Sequence, residues 1–219
     1  MPKAKTPQWL KILREVNLKS RLREKTSLKR FNTWRIGGNA DCLIDVVSIL
    51  ELRYLITLIS KHNIPWFLIG KGSNLLISDK NWTGIILHLS GDFKNLTPSE
   101  KINSSTKNIE VSAGAALADV TFVQRCFNLG LGGMEFLIGI PGTIGGAVSM
   151  NAGAHGAEIS KFLKEVEWID MEGKIHKSDI GKLNFKYRFS ELNSNYGKII
   201  TQAIFKIKKT EQNNIKERI

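Results

Sequence analysis

Between Gly130 and Gly156 the chain reads GLGGMEFLIGIPGTIGGAVSMNAGAHG, and no other stretch restricts the possible folds so strongly. It holds nine of the chain's 19 glycines in 27 residues. Its other positions, among them Leu131, Met134, Phe136, Leu137, Ile138, Ile140, Ile144, Val148 and Met150, supply apolar side chains that a flexible linker has no use for. The combination predicts a buried, tightly folded loop. Glycine at this density permits positive φ and lets the backbone come within van der Waals reach of something flat or bulky, at an entropic cost that ordinary packing does not require. Two readings follow: a large bound ligand, or a glycine-rich crossover inside a core.

With 219 residues, 42% hydrophobic and 24% charged, the chain has material for one large or two small soluble domains. No apolar run reaches 18 residues and the N-terminus lacks the apolar region of a secretory signal, so the expectation is a cytoplasmic protein with no membrane partner. Cys42 and Cys126 stand outside any CxxC or metal-ligand spacing and are expected as reduced core residues; no metal site is predicted.

The net charge of +12 raises the question of nucleic acid, and its distribution answers it. Residues 1–30 carry ten basic and two acidic side chains and residues 206–219 carry five and two, which leaves 17 basic and 16 acidic residues in the body between. A nearly neutral body is a poor phosphate-tracking surface, and no zinc-finger, RNP or helix-turn-helix pattern accompanies the flanks. No nucleic-acid partner is expected.

In chain order, Gln8–Val16 places Trp9, Ile12, Leu13 and Val16 on one face of a short amphipathic helix, expected to pack loosely; a mitochondrial transit peptide is a competing reading that Glu15 and Glu24 oppose. Residues 40–47 read as a strand entered through Gly37-Gly38. A helix follows, with Ser48 and Glu51 as a capping box and Leu52, Leu55, Ile56 and Ile59 on one face. Residues 66–70 and 84–89 read as buried strands, giving a β-α-β unit. Residues 98–108 read as a surface loop, 109–114 as a strand, and 117–129 as a helix stopped by Gly130. A hairpin is predicted around Met171-Glu172-Gly173. Residues 198–208 form a strand with Ile199, Thr201, Ala203, Phe205 and Ile207 on its buried face.

The strand at 66–70 runs into Gly70-Lys71-Gly72-Ser73-Asn74, where successive backbone N–H groups of a glycine turn can converge on an anion such as a pyrophosphate. The segment has neither GxGxxG spacing nor a Walker ending, and alone it reads as a tight turn. Beside the second glycine-rich stretch it suits a long ligand with a diphosphate and a flat ring, its phosphates solvated by N–H dipoles and not by lysines.

Five segments, TWRIGGNAD (33–41), IGKGSNLLISD (69–79), VSAGAAL (111–117), GGMEFLIGIPGTIGGAVSMNAGAHGAEI (132–159) and FKYRFS (185–190), occur in an order and spacing that resemble the UDP-N-acetylenolpyruvoylglucosamine reductase family over about residues 22–208. That resemblance implies an α+β fold, the two-lobed FAD-binding domain of the vanillyl-alcohol-oxidase (PCMH) type. The expected organisation is a basic extension at 1–21, an α/β lobe at 22–97, a lobe on an antiparallel sheet at 98–208 and a tail at 209–219. It further implies non-covalent FAD, NADPH as reductant, and hydride delivery to the enolpyruvyl carbon of a UDP-sugar in peptidoglycan synthesis.

By the same resemblance, Gly70, Lys71, Gly72, Ser73 and Asn74 match the loop that holds the flavin's diphosphate, and Ile140, Pro141, Gly142, Thr143, Gly145 and Gly146 match the stretch along the flavin. Lys71 stands where relatives often have glycine or alanine, so its side chain is expected to point outward and do little. Tyr187 and Arg188 match a substrate-binding pair, with Arg188 catalytic through the enolpyruvyl carboxylate; from the residues alone Arg188 reads as a solvated strand arginine. His155 reads as packed or solvent-facing. The family's third domain, with its proton-donating serine, has no counterpart here, so a fragment, a truncated product or a partner polypeptide supplying that domain stay open. A flavin-binding protein without turnover and another FAD oxidoreductase of the same fold are the rival functions.

Overall fold

Two hydrophobic patterns in the chain build two sheets, described in a computed structural model over residues 7–99, 107–192 and 197–216. The first half supplies α1 (Gln8–Glu15), β1 (Arg21–Ser27), β2 (Asn39–Val46), α2 (Ile49–Lys61), β3 (Trp66–Leu68) and β4 (Trp82–Leu89). Their sheet runs β1-β2-β4-β3, with β2, β4 and β3 parallel and β1 antiparallel at the edge. The predicted β-α-β unit is therefore split, because β4 enters between the two strands that α2 connects.

α2 begins where expected: the Ser48 hydroxyl accepts from the Glu51 N–H at 3.4 Å, and Leu52, Leu55, Ile56 and Ile59 are buried against Cys42, Ile44, Val46, Ile85 and Leu87. The return half of the capping box goes elsewhere. The Glu51 carboxylate accepts from the backbone N–H groups of Lys19 (2.5 Å) and Ser20 (3.0 Å) and from the Ser20 hydroxyl, pinning the N-terminal segment onto the helix. β1 escaped prediction because a charged edge strand has no apolar face to reveal it; it starts at Arg21, within the expected extension. α1 is also not loosely attached. Leu10 and Leu13 are buried in the main core, and Arg14 makes two 2.7 Å contacts with Glu24 of β1.

The second half adds β5 (Leu96–Pro98), β6 (Asn108–Gly114), α3 (Asp119–Asn128), β7 (Leu131–Gly132), α4 (Ile144–Ser149), β8 (Gly153–Ala154), β9 (Ala157–Glu158), β10 (Leu163–Ile169), β11 (Ile175–Asp179), β12 (Phe185–Lys186), β13 (Phe189–Ser190), β14 (Ile199–Lys209) and α5 (Gln212–Lys216). Its main sheet has the order β11-β10-β14-β6-β5, all antiparallel, with β7 also on β14. β14 is central, and Ile199, Thr201, Ala203, Phe205 and Ile207 are buried along one face. Leu96–Pro98, assigned by sequence partly to the first lobe and otherwise to a loop, instead forms the edge strand of this second sheet; most of that predicted loop lies outside the described residues. The expected tail is docked as well: α5 buries Ile215 beside Gly132.

The glycine-rich stretch is not one loop. It folds into a 3-10 turn at Glu135–Gly139, then α4, then the β8–β9 hairpin, and its apolar side chains enter a core continuous across both lobes. Ser60 of α2 donates to the Met171 carbonyl at 2.8 Å, tying the first lobe to the β10–β11 turn. Among the described residues, no helix is long and apolar enough to cross a membrane. Cys42 and Cys126 are free and buried, and burial pushes each thiol up to about 12.

Candidate functional site

Among the described residues, the far face of the first sheet is covered by extended chain and the 3-10 turn Leu28–Phe31, and not by an α-helix. After β3 the backbone turns at Gly70–Asn74 and lays Leu75 and Ile77 on Leu43, Ile86 and Ile69. Gly72 sits in that turn with φ +65°, and a Cβ there would lie 1.8 Å from the Phe31 carbonyl oxygen. The glycine is thus required by the protein's own backbone, before any ligand is considered.

From the second lobe the Ile140–Gly146 segment reaches the same place. Its backbone is laid along residues 115–119: the N–H groups of Ile144 and Gly145 donate to the carbonyls of Leu117 (2.9 Å) and Ala115 (2.8 Å), and the Asp119 N–H donates to Gly142 (3.2 Å). The two glycine loops then touch each other. The Ser73 hydroxyl donates to the Pro141 carbonyl, and a Cβ on Gly70 would sit 2.9 Å from the Thr143 hydroxyl oxygen. Gly70, Lys71, Gly72, Ser73, Asn74, Ile140, Pro141, Gly142, Thr143, Gly145 and Gly146, far apart in sequence, all line one cleft of about 940 Å³ between the lobes.

Arg188 lines the same cleft. It occupies the two-residue turn between β12 and β13 with φ +54°, a conformation that costs a non-glycine residue energy and is held by its surroundings. Asn151, itself buried at φ +43°, donates to the Lys186 carbonyl at 2.9 Å, and the buried Ser190 hydroxyl donates to the Ser149 carbonyl at 2.8 Å. Both ends of the short hairpin are thereby fastened to the end of α4. Tyr187 projects into solvent with the Arg188 guanidinium 5.4 Å from its ring centre. His155 is exposed at the tip of the β8–β9 hairpin and does not line the cleft.

Charge in the cleft departs from the reading based on a neutral body. Among the described residues, Lys71, Lys94, Arg125, Arg188 and Lys198 line it, against one acid, Asp119. Side chains, and not backbone dipoles alone, therefore confront an anion. Lys71 is exposed as expected, but its charge acts on the buried Asp119 and opposes the upward push that burial gives that carboxyl. Lys198 is held over the Trp168 ring at 4.9 Å and lies 3.7 Å from a Glu191 carboxylate oxygen.

Two features were missed in the sequence. Asp119 follows the small and apolar run 111–118, and an acid immediately after such a run was the available signal. Asp45 interrupts an apolar strand, and it pairs with Arg23 and, at 2.8 Å, with the cleft-lining His88 across the sheet. Burial raises the Asp45 carboxyl, and Arg23 and His88 outweigh it, so the group ends below the usual range.

This donor set fits FAD. Glycine backbone and cations are available to a diphosphate, and Ala115, Leu117, Ala147, Met150 and Ile200 form an apolar floor suited to a flat ring. Residues 40–179 match the model of the FAD binding domain family. The chain is 36% identical over 196 residues to the UDP-N-acetylenolpyruvoylglucosamine reductase of Bacillus pumilus, covering 90% of this chain and 62% of the relative. Its fold superposes on the crystal structure of UDP-N-acetylenolpyruvylglucosamine reductase from Thermus caldophilus with a TM-score of 0.75 at 31% identity, covering 91% and 66% of the two chains. A VAO-type flavoprotein of Myceliophthora thermophila shares the fold alone, with a TM-score of 0.56 at 11% identity over 78% of this chain and 32% of that one. The chain spans about three fifths of the length of the curated relatives first matched.

Proposed function

The chain belongs to the FAD binding domain family, and from that premise we propose that it holds FAD for the reduction of UDP-N-acetylglucosamine enolpyruvate to UDP-N-acetylmuramate, a cytoplasmic step of peptidoglycan synthesis. One observation carries the reading: two glycine loops from different lobes meet in a cationic cleft that Arg188 overlooks from a fastened turn. The bound flavin would supply the redox chemistry that no side chain possesses, with NADPH as the source of electrons.

The protein's own groups do the rest. Gly70–Asn74 and Ile140–Gly146 present backbone to the cofactor, and Lys71 adds a cation where a diphosphate would lie. Arg188 engages the enolpyruvyl carboxylate with its planar fork and stabilises charge that builds on it during reduction. Tyr187 helps to hold the UDP-sugar. The cofactor is held non-covalently.

The test has two stages. Cofactor-free protein is mixed with FAD and passed through gel filtration, where flavin absorbance is expected to travel with the protein. The flavin is then reduced with NADPH under anaerobic conditions and the enolpyruvyl UDP-sugar added, with UDP-N-acetylmuramate as the expected product. Reduced flavin that stays bound but yields no product, also when a polypeptide carrying the reductase family's third domain is added, overturns the reductase reading and leaves flavin binding without turnover.

A further inference from the structure

Asp119 is the anomaly of the cleft. It is fully buried, and neither carboxylate oxygen has a hydrogen-bond partner among the described residues. It opens α3, but Ala118 occupies the cap position and the Asp119 side chain caps nothing. The carboxyl is pressed against the second glycine loop: a Cβ on Gly142 would lie 2.4 Å from its Oδ2. A buried ionised carboxylate without a donor is costly, and it persists only with an opposite charge nearby or by taking up a proton.

The surroundings narrow the choice. Residues 114–118, the 139–143 segment and α4 bring no ionisable side chain to the site, and α3 contributes Arg125 farther along the cleft wall. The Gly70–Asn74 loop contributes Lys71. Burial pushes Asp119 up to about 7, and Lys71 is the charge that restrains the rise. That one counter-charge sits on the loop assigned to the diphosphate.

We propose that Asp119 couples cofactor binding to the uptake of one proton: FAD enters the cleft together with a proton that resides on the Asp119 carboxyl. The inference rests on the FAD reading above. A diphosphate in the Gly70–Asn74 loop engages Lys71 and adds two negative charges beside a carboxyl that has no donor, and both changes favour its neutral form. The proton comes from solvent and no covalent bond forms. Binding then weakens as pH rises, because above neutrality the cofactor-free protein must first acquire the proton.

The experiment is calorimetric titration of FAD into cofactor-free protein at pH 6, 7 and 8, each in two buffers of different ionisation enthalpy, with Kd checked by flavin fluorescence. Uptake is expected to approach one proton per FAD at pH 8, with Kd rising about tenfold from pH 7 to 8.5. The same titration on His88→Gln separates the carboxyl from the histidine that also lines the cleft; uptake persists there and disappears in Asp119→Asn. Kd independent of pH with no uptake, uptake lost in His88→Gln, or uptake retained in Asp119→Asn overturns the proposal while FAD binding stands. Absence of FAD binding at every pH overturns the cofactor reading itself. Should Asp119→Asn not fold, the buffer comparison on wild type and His88→Gln still decides.

Discussion

The side-chain amide of Asn151 donates to the carbonyl oxygen of Lys186 at 2.9 Å, fastening the hairpin of Arg188 to the end of the glycine-rich stretch 35 residues earlier. The same amide donates to Glu158 at 3.2 Å, and its oxygen accepts from the Ser160 N–H at 3.3 Å. Asn151→Gly keeps the positive φ and removes all three contacts. It is expected to lower stability by about 2 kcal/mol and to weaken UDP-sugar binding more than FAD binding. Urea unfolding beside the two binding titrations checks this, and equal losses for both ligands would show general loosening instead.

Gly72 and Gly156 both have positive φ, +65° and +75°, but only one is crowded. At Gly72 a Cβ meets the Phe31 backbone at 1.8 Å, whereas at Gly156 nothing lies within 4 Å. Gly156→Ala should cost about 1 kcal/mol, the strain of the backbone alone. Gly72→Ala should cost about 3 kcal/mol or more, measured without any cofactor present. Similar unfolding midpoints for the two variants would contradict the packing account of the turn.

Arg188 holds φ +54° although glycine or asparagine would adopt it more readily. Arg188→Gly is therefore expected to leave the cofactor-free protein at least as stable, within about 1 kcal/mol, while reduced flavin is no longer reoxidised by the enolpyruvyl UDP-sugar. Thermal unfolding and anaerobic reoxidation read the two effects separately. A large loss of stability would mean that the side chain is structural.

Two aspartates give the cofactor-free protein opposite responses to pH. Asp45 is held below the usual range, so its contribution is present above the unfolded carboxylate value and is lost as pH falls through its folded value, below about pH 4. Asp119 is held high, so the unfolded chain binds fewer protons than the folded one from about pH 4 to 7, and stability declines across that window. Asp45→Asn should flatten the acid limb. Asp119→Asn should raise stability at pH 8 relative to pH 5, by a few kcal/mol at most given a shift of about 3 units. Denaturant unfolding at pH 3, 5 and 8 separates the two, and an unchanged pH profile in Asp119→Asn would place the buried charge elsewhere.

Local order was readable in the residues. α2 starts at Ser48 because a hydroxyl there meets an orphan N–H, α3 ends before Gly130 because φ +67° suits glycine, and from Thr201 onward β14 buries every second side chain because alternation is what a strand makes of that pattern. The glycine stretch pointed to the cleft for the same kind of reason, as dense glycine is tolerated where backbone must approach closely. Other features depended on which segments meet. β1 carries no apolar alternation and exists because β2 offers it an edge. The five cations of a near-neutral body converge only when two lobes close on one cleft, since net charge records number and not position. Asp119 is unusual only because folding removes water and brings no donor from the described residues in its place, and a sequence specifies a carboxyl without saying what will surround it.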